Sequence, residues 1–330
     1  MLSQASLEHA MKHACAEARR FLGATAPNPP VGAAALDAGG EILAVMAHQR
    51  AGEAHAEVAL LEKCRSMGFL KKVAALCVTL EPCNHQGRTP PCAKAIFEAG
   101  IKHIVIGTRD PNPHVHGGGI EWLQKEGVEI TLGVAEEECR QLVYAFATQV
   151  KTGQPWVTIK KAVDEKESMI PPKGQKTFTS TESLRLAHRL RKRADAIITG
   201  SGTILADDPS FTVRQVADHD GKKRFLAILD RRRRVPEAWL QQARERGLKP
   251  LIYDDIKEAL ADLARRGVLE VLVEAGPLLA QSVLESGLWD MAITIRKAQS
   301  DQIEVHFNPQ ASLPFDVTKW QWENMLPNES

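Results

Sequence analysis

The sequence has few aromatic residues, no long apolar run and no excess of charge of one sign. Aromatic residues make up 5% of the 330 residues, which argues against a surface on which successive nucleic-acid bases stack. The 42 Lys and Arg residues balance 41 Asp and Glu residues, so no strong field attracts nucleic acid or an anionic membrane. No apolar stretch approaches the roughly 18 residues that a membrane-spanning helix needs. We therefore expect neither a nucleic acid nor a membrane as a partner.

The cysteines do not form the dense framework that is typical of small secreted domains. There are six of them in the whole chain. The N-terminal stretch MLSQASLEHAMKHACAEARRFL lacks the apolar centre of a signal peptide and indicates an amphipathic helix. We therefore expect a protein of the reducing cytoplasm. Four cysteines lack ligand spacing and are predicted to be small buried or incidental residues: Cys15, Cys64, Cys77 and Cys139.

The length suits two domains, and strand and helix patterns alternate in both halves, which predicts an α/β fold for each. The Gly and Pro residues of KTGQPW, at Lys151–Trp156, interrupt the pattern. We place a first domain at 1–150 and a second at 151–330. In the second domain, a glycine-rich turn and the acidic loop ADDPS follow the strand AIITG. The run of arginines at Arg231–Arg234 is predicted to be a solvated turn.

His55, Cys83 and Cys92 are of the types that bind a catalytic zinc ion, which takes three protein ligands and keeps a fourth position for water. Glu57 follows His55 by two residues, and at a helix N-terminus both side chains can reach a common ion. The cysteines are predicted at or near the starts of turns or helices, where the helix dipole favours the thiolate. Zinc lowers the pKa of its bound water to about 7, and Glu57 can pass that water's proton to a leaving amine.

The zinc-deaminase signature is H-x-E followed by P-C-x-x-C. HAE and PC match it here, whereas eight residues separate Cys83 from Cys92. A closed structural zinc site is the alternative, with His85 as the fourth ligand. Glu57 and the preceding Pro82 favour the catalytic site.

Four stretches carry a resemblance to a known family: PNPPVG, HQRAGEAHAEVALL, TLEPCNHQGRTPPCAKAI and DPNPHVHGGGI. In order and spacing they resemble the deaminase domain of the RibD family of bifunctional riboflavin-biosynthesis enzymes. The second half resembles the reductase domain of that family, and the eight-residue interval is a mark of the family among zinc deaminases. The resemblance implies a three-layer sandwich like that of cytidine deaminase, followed by an α/β domain like that of dihydrofolate reductase.

The family reaction is the zinc-dependent deamination of a diaminopyrimidinone that carries a phosphoribosylamino group. An NADPH-dependent step then reduces the ribosyl group to ribityl. The resemblance therefore implies one Zn²⁺ per chain, NADPH, a phosphoribosyl pyrimidine substrate, and a homodimer or homotetramer. It also implies that the following residues bind the deaminase substrate: Asn28, His48, His85, Arg88, Thr89, Asp110 and Asn112.

The second site is implied by the same resemblance. The residues expected at the cofactor are Thr203, Asp207, Gly276, Pro277, Leu278, Leu279, Ala280, Gln281 and Ser282. The residues expected at the reductase substrate are Lys160, Asp164, Arg191, Phe211, Arg214 and Glu274. A helix start directly after a strand, as at Gly276 and Pro277, suits a cofactor pyrophosphate.

The cofactor cleft departs from the family pattern in several places. Ala162–Glu165 reads AVDE where relatives have SLDG, Gln175 and Thr177 replace a Ser and a Trp, and Arg231 replaces a Ser. From about Arg296 the chain lacks the family's usual PKLLG-like strand and is short. One alternative is therefore a monofunctional deaminase with a degenerate reductase domain. Others are a deaminase of a related pyrimidine or purine metabolite, a nucleic-acid-editing deaminase, and a zinc scaffold without activity.

Overall fold

The structure is a computed structural model that describes residues 2–84, 91–112, 118–172, 174, 177–322 and 326. The chain divides into two compact units. The first contains the residues up to Lys151 together with a C-terminal segment that begins at Pro314, and the second is Thr152–Leu313. In the described part of the chain, no helix combines the length and the apolar character that crossing a membrane requires.

The first unit is a five-stranded sheet with helices on both faces. Its strands are β1 (Gly32–Leu36), β2 (Ile42–Ala47), β3 (Ala75–Leu80), β4 (His103–Thr108) and β5 (Glu129–Leu132). Its helices are α1 (Gln4–Arg19), α2 (Ala56–Ser66), α3 (Cys92–Glu98), α4 (Gly119–Lys125) and α5 (Glu136–Thr152), with a short 3₁₀ helix at Leu70–Lys72. The strand order is β2-β1-β3-β4-β5; β1 is antiparallel to both neighbours, and β3, β4 and β5 are parallel.

Two separate cores, one on each face, make this unit a three-layer sandwich. Along β1, Ala34 and Leu36 join a core with α1 and α5, whereas Ala33 and Ala35 join a core with α2, α3 and α4. This alternation follows from the period of two in a β-strand. All six residues of the central strand β3 are buried, which explains its nearly continuous apolar sequence.

The second unit is a seven-stranded sheet, also with helices on both faces. Its strands are β6 (Trp156–Val163), β7 (Ala196–Gly200), β8 (Arg224–Leu229), β9 (Leu248–Tyr253), β10 (Glu270–Val273), β11 (Met291–Arg296) and β12 (Gln302–Phe307). Its helices are α6 (Thr181–Arg193), α7 (Ser201–Asp207), α8 (Glu237–Glu245), α9 (Ile256–Arg265) and α10 (Pro277–Ser286). The order is β12-β11-β6-β10-β7-β8-β9, and every pair is parallel except β11–β12.

Strand β10 lies between β6 and β7. Strands β7, β8 and β9 are added toward one edge of the sheet, and β10, β11 and β12 toward the other, so the strand order reverses next to β10. Alternate residues of β7 again serve two cores: Ile197 packs with α7 and α8, and Ile198 with α9 and α10. In open parallel sheets, ligands bind outside the carboxyl ends of the strands, where the strand order reverses. The residues that follow β7 and β10 are therefore expected to line a ligand site.

The second half differs from the sequence-based expectation in two places. The stretch after β7 was predicted to be a glycine-rich turn and an acidic loop, yet Ser201–Asp207 forms helix α7, because Ile204 is buried in the core. Beyond Arg296, where the PKLLG-like strand of the family is missing from the sequence, the strand β12 was not predicted, and it pairs with β11 over six residues. Helix α8 and strand β11 were not predicted.

The C-terminal segment from Pro314 was assigned to the second domain, but it packs on helix α5 of the first unit. The rings of Phe315 and Trp320 are stacked with centroids 3.8 Å apart. Both rings meet the buried Tyr144 edge-on, and Gln141 Nε2 donates to the carbonyl oxygen of Lys319 at 3.1 Å. An aromatic cluster therefore closes one side of α5.

Candidate active sites

The predicted zinc ligands come together in the first unit. The ligand atoms of His55, Cys83 and Cys92 all lie within 4.8 Å of one another. Nδ1 of His55 is 3.7 Å from Sγ of Cys83 and 3.3 Å from Sγ of Cys92. Among the described residues, no other cluster of three or more His, Cys, Asp or Glu side chains meets this criterion. One imidazole and two sulfurs form a donor set that suits zinc, with a fourth position left for water.

Helix starts hold two of the three ligands, as the sequence predicted. His55 is the N-cap of α2, and Cys92 is the first residue of α3. The Cys92 amide donates to the Cys83 sulfur at 3.4 Å. Hydrogen bonds from the Cys92 thiol and from His55 lower the pKa of the Cys83 thiol to about 4. The hydrogen bond with Cys83 raises the pKa of Cys92, because the two sulfurs share one proton.

Glu57 is a buried carboxyl beside this group. It lies in the first turn of α2, and its exposed fraction is 3%. Burial raises its pKa to about 7, although its hydrogen bonds oppose the shift. Because its pKa is near neutral, a group of this kind can both accept and release a proton.

His48 and Asn28 form the polar side of the same region. The His48 ring meets the His55 ring edge-on, with centroids 5.3 Å apart. Nδ1 of His48 donates to the carbonyl oxygen of Ala54 at 3.0 Å, so Nε2 is left to accept from the Asn28 amide at 3.2 Å. Burial lowers the pKa of His48, which keeps its ring neutral.

Asp110 and Asn112 follow strand β4. Asp110 Oδ1 accepts from the backbone amide of Asn112 at 2.8 Å. The buried carboxylate of Glu81, which was not singled out in the sequence, accepts from the backbone amide of Asp110 at 3.3 Å. Three further predicted residues, His85, Arg88 and Thr89, lie outside the described residues, so His85 as a fourth zinc ligand is not tested.

Glu274, at the end of β10, organises the second site. Its carboxylate accepts from Arg191 Nε at 2.9 and 3.1 Å, and Arg191 Nη2 is 2.8 Å away. Lys160 Nζ, on β6, is 3.9 Å from the same carboxylate. Although burial opposes the shift, Arg191 and Lys160 lower the pKa of Glu274, and burial lowers that of Lys160. The structure therefore brings together three of the predicted reductase residues.

Arg214 adds a further cation to this region. Its backbone amide donates to Nδ1 of the buried His188 at 2.9 Å. Burial, followed by Arg191 and Arg214, lowers the pKa of His188 to about 4. Phe211, expected at the substrate, is 2% exposed and packs against Trp239. Its side chain belongs to the core, so only its backbone can face a ligand.

Two of the predicted cofactor residues, Thr203 and Gly276, meet where β7 and β10 end. The amide of Gly276 donates to Oγ1 of Thr203 at 2.9 Å. A Cβ at Gly200 would approach Leu279 to 3.2 Å, so this glycine permits α10 to lie against the end of β7. Leu278 is 89% exposed, the highest value among large apolar side chains in the described residues. An N-terminus of α10 that carries an uncovered apolar side chain fits a dinucleotide.

The described positions that depart from the family differ in exposure: Ala162 and Thr177 are half-buried, and Val163 is buried. Asp164 Oδ1 accepts from the amides of Lys166 and Ser168, both at 2.8 Å, and Glu165 is exposed in this turn. Arg231 is exposed after β8, and Arg234 donates to Oγ of Ser201 at 2.8 Å. Thr177 hydrogen-bonds to Thr179, and Gln175 lies outside the described residues. The cluster of Glu274, Arg191 and Lys160 is complete despite these departures.

Two family models match successive parts of the chain. The cytidine and deoxycytidylate deaminase zinc-binding region matches residues 4–108, which include the three zinc-ligand candidates and Glu57. The RibD C-terminal domain matches residues 168–295, which include Arg191 and Glu274.

Proteins named RibD are similar to this chain over most of its length and most of theirs. The riboflavin biosynthesis protein RibD of Aquifex aeolicus is 36% identical over 307 residues, which are 86% of this chain and 84% of that protein. Its Escherichia coli counterpart is 34% identical over 321 residues, or 87% and 86% of the two chains. A deaminase/reductase structure from Thermotoga maritima has a TM-score of 0.78 at 31% identity and covers 96% of this chain and 93% of that one. For RibD of Acinetobacter baumannii the TM-score is 0.77 at 28% identity, with 97% and 94% covered. The chain belongs to the RibD family of riboflavin biosynthesis proteins.

Proposed function

We propose that the first unit deaminates a diaminopyrimidinone that carries a phosphoribosylamino group, and that the second unit reduces the ribosyl group of the product. The observation that carries the proposal is the buried Glu57 carboxyl beside the His55, Cys83 and Cys92 ligand set, in a chain whose relatives are RibD proteins. The match of the reductase family model and the complete cluster around Glu274 support the bifunctional enzyme over a monofunctional deaminase.

In the deamination step, His55, Cys83 and Cys92 would hold a zinc ion, which would supply a water of lowered pKa. Glu57 accepts the proton of that water and delivers it to the leaving amine nitrogen. Its burial serves this task, because a pKa near neutrality suits both the acceptance and the release of the proton. The ammonia that leaves is the measurable product.

Asn28 and His48 bind the edge of the pyrimidine. The neutral His48 ring accepts the Asn28 amide hydrogen and so fixes the orientation of that amide. The carbonyl oxygen of Asn28 is then directed to accept a hydrogen bond from a ring or amino N–H group. Asp110 and Asn112 lie at the loop after β4, and His85, Arg88 and Thr89 are proposed to complete the pyrimidine and phosphate contacts.

In the reduction step, the residues at the ends of β7 and β10 would hold NADPH, which would supply a hydride. Thr203 and Gly276 hold the start of α10 against α7, where the pyrophosphate is proposed to bind. Lys160, Arg191 and Arg214 outnumber the single anion Glu274, so the cluster retains net positive charge. Such a cluster suits the phosphate of the ribosyl substrate.

A two-step assay tests both activities. The purified chain, given the phosphoribosyl diaminopyrimidinone, should release ammonia, and it should oxidise NADPH on the deaminated product. Glu57→Gln should lower ammonia release by about 10²–10⁴-fold while zinc stays near one per chain. Glu62→Gln, an exposed change on the same helix, is the matched control.

Two results would contradict the proposal. Loss of zinc from Glu57→Gln would show that this residue is a ligand and not the proton carrier. Ammonia release without NADPH oxidation by the wild-type chain would reduce the function to deamination.

A cytoplasmic homodimer or homotetramer is proposed from the family resemblance and the free cysteines. Light scattering of the purified protein measures the oligomeric state directly.

A further inference from the structure

Glu81 is a buried carboxylate that neither reaction described above uses. It follows the last residue of β3 and precedes Cys83 by two positions, and it is 3% exposed. Oε2 accepts from the backbone amide of Asp110, and Oε1 accepts from the backbone amide of Ile120, both at 3.3 Å. One side chain therefore holds two points of the chain that are ten residues apart in sequence.

The backbone amide of Ile120 needs an acceptor from outside the helix, because helix α4 begins without a cap of its own. Its N-cap residue is Gly118, which has no side chain to accept from the first turn. The first amides of a helix have no partner within the helix, and a negative charge at this end is favourable. Glu81, which directly follows strand β3, supplies both the acceptor and the negative charge.

The backbone next to Glu81 is in close contact with the start of α4 and with the end of β4. A Cβ at Gly119 would lie 2.0 Å from the carbonyl oxygen of Pro82, so α4 begins in direct contact with the residue before Cys83. The amide of Glu81 also donates to the carbonyl oxygen of Thr108 at 2.9 Å. The segment that carries the zinc ligand and the segment that begins at Asp110 therefore share one anchor.

We propose that Glu81 is a positioning residue for substrate binding in the deaminase unit. It fixes the amide of Asp110, whose Oδ1 in turn accepts from the amide of Asn112 at 2.8 Å. This relay sets the orientation of both side chains toward the pyrimidine. The inference rests on the proposed deamination, and it assigns Glu81 a role in affinity and not in the chemical step.

The variant Glu81→Gln tests the role with the full-length, zinc-loaded protein. The amide has nearly the same size, but its NH₂ group cannot accept a hydrogen bond, so one of the two contacts is lost. We expect KM for deamination to rise about tenfold, since a hydrogen bond to a charged group is lost, while kcat stays within about threefold. Zinc content and NADPH oxidation on the deaminated product should not change.

Three further measurements keep the test independent of folding and of activity. Glu126→Gln removes a charge from the exposed end of α4 and should leave KM unchanged. Hydrogen–deuterium exchange at the amides of Asp110 and Ile120 should be faster in Glu81→Gln than in the wild type, whatever substrate the enzyme uses. Glu81→Asp keeps both acceptors on a shorter side chain, and it should give a smaller rise in KM.

Three outcomes would overturn the inference. Unchanged KM with unchanged exchange would show that Glu81 holds nothing that binding requires. A loss of kcat at constant KM would place Glu81 in the chemistry. Loss of zinc in both Glu81→Gln and Glu81→Asp would make it a support for Cys83. A wild-type chain that releases no ammonia would instead count against the proposed function, and the exchange measurement would still decide the role of Glu81.

Discussion

Glu274→Gln removes a buried anion that is paired with Arg191 and Lys160, and its effect can be worked out from the structure. The exposed fractions are 6% for Glu274, 15% for Arg191 and 19% for Lys160. Glutamine preserves the volume and one acceptor for Arg191. It leaves the charges of Arg191 and Lys160 without the carboxylate that lies 2.8 and 3.9 Å away from them.

Breaking a buried ion pair by removing one partner costs about 3–5 kcal/mol. Because glutamine still accepts one hydrogen bond, we expect the lower end, about 3 kcal/mol. In a domain of this size each kcal/mol lowers Tm by about 2–4 °C, so the transition of the second unit should fall by about 6–12 °C.

Differential scanning calorimetry measures this shift, and ammonia release at 25 °C reports on the first unit. Asp254→Asn is the matched control: it breaks the Arg233–Asp254 pair, which is 2.7 Å long but 56% and 54% exposed. An exposed pair contributes about 0–1 kcal/mol, so this variant should melt close to the wild type. Inorganic phosphate should raise the Tm of Glu274→Gln more than that of the wild type, because it restores negative charge to the cluster.

A Tm for Glu274→Gln equal to or above that of the wild type would refute the reasoning. It would mean that the cost of burying the Glu274 carboxylate equals or exceeds what its pairing with Arg191 and Lys160 contributes to folding.

Three further predictions concern other parts of the molecule. Gly32→Ala should destabilise the first unit by about 1–3 kcal/mol in denaturant unfolding, because the added Cβ would lie 2.0 Å from the carbonyl oxygen of Ala14. The second unit should lose stability as pH falls from 6.5 toward 4, because the pKa of His188 is lowered to about 4 and the unfolded chain takes the proton first. His188→Asn should show a smaller loss of Tm between pH 7 and pH 5. Removal of zinc by a chelator should stop ammonia release and lower the Tm of the first unit, while NADPH oxidation on the deaminated product continues.

The zinc site could be predicted because its signal is local. His55 and Glu57 are two residues apart, the cysteines flank one loop, and few other functions use His, Cys and Glu at helix starts. The alternation of strands and helices was equally visible, since it depends on apolar periods within each segment. The structure confirms the α/β fold of both units and brings the three ligand atoms together.

The second site could be predicted only through the family resemblance. Lys160, Arg191 and Glu274 are far apart in sequence, and they meet because β10 lies between β6 and β7. Glu81 was missed for a related reason. Its partners are Asp110 and Ile120, so its role exists only after β3 and β4 are side by side. The available signal was an acidic residue directly after a strand whose sequence is nearly continuously apolar.

The remaining misses reflect tertiary contacts that override local composition. Two glycines near Ser201–Asp207 favoured a turn, but burial of Ile204 favours the helix. Strand β12, by contrast, had a local signal that was missed: QIEVHF alternates polar and apolar residues, as a half-buried strand does, and it pairs with β11 over six residues.

The return of the C-terminal segment to α5 has a consequence for how the protein is made. Tyr144 is 1% exposed and packs against Phe315 and Trp320, and more than 160 residues are synthesised between α5 and these two rings. During synthesis on the ribosome, the packing of the first unit is therefore completed only after the segment that begins at Pro314 has been made. A gene fragment that stops at Lys151 encodes every proposed zinc ligand, yet it leaves an aromatic face of α5 open to other unfinished chains.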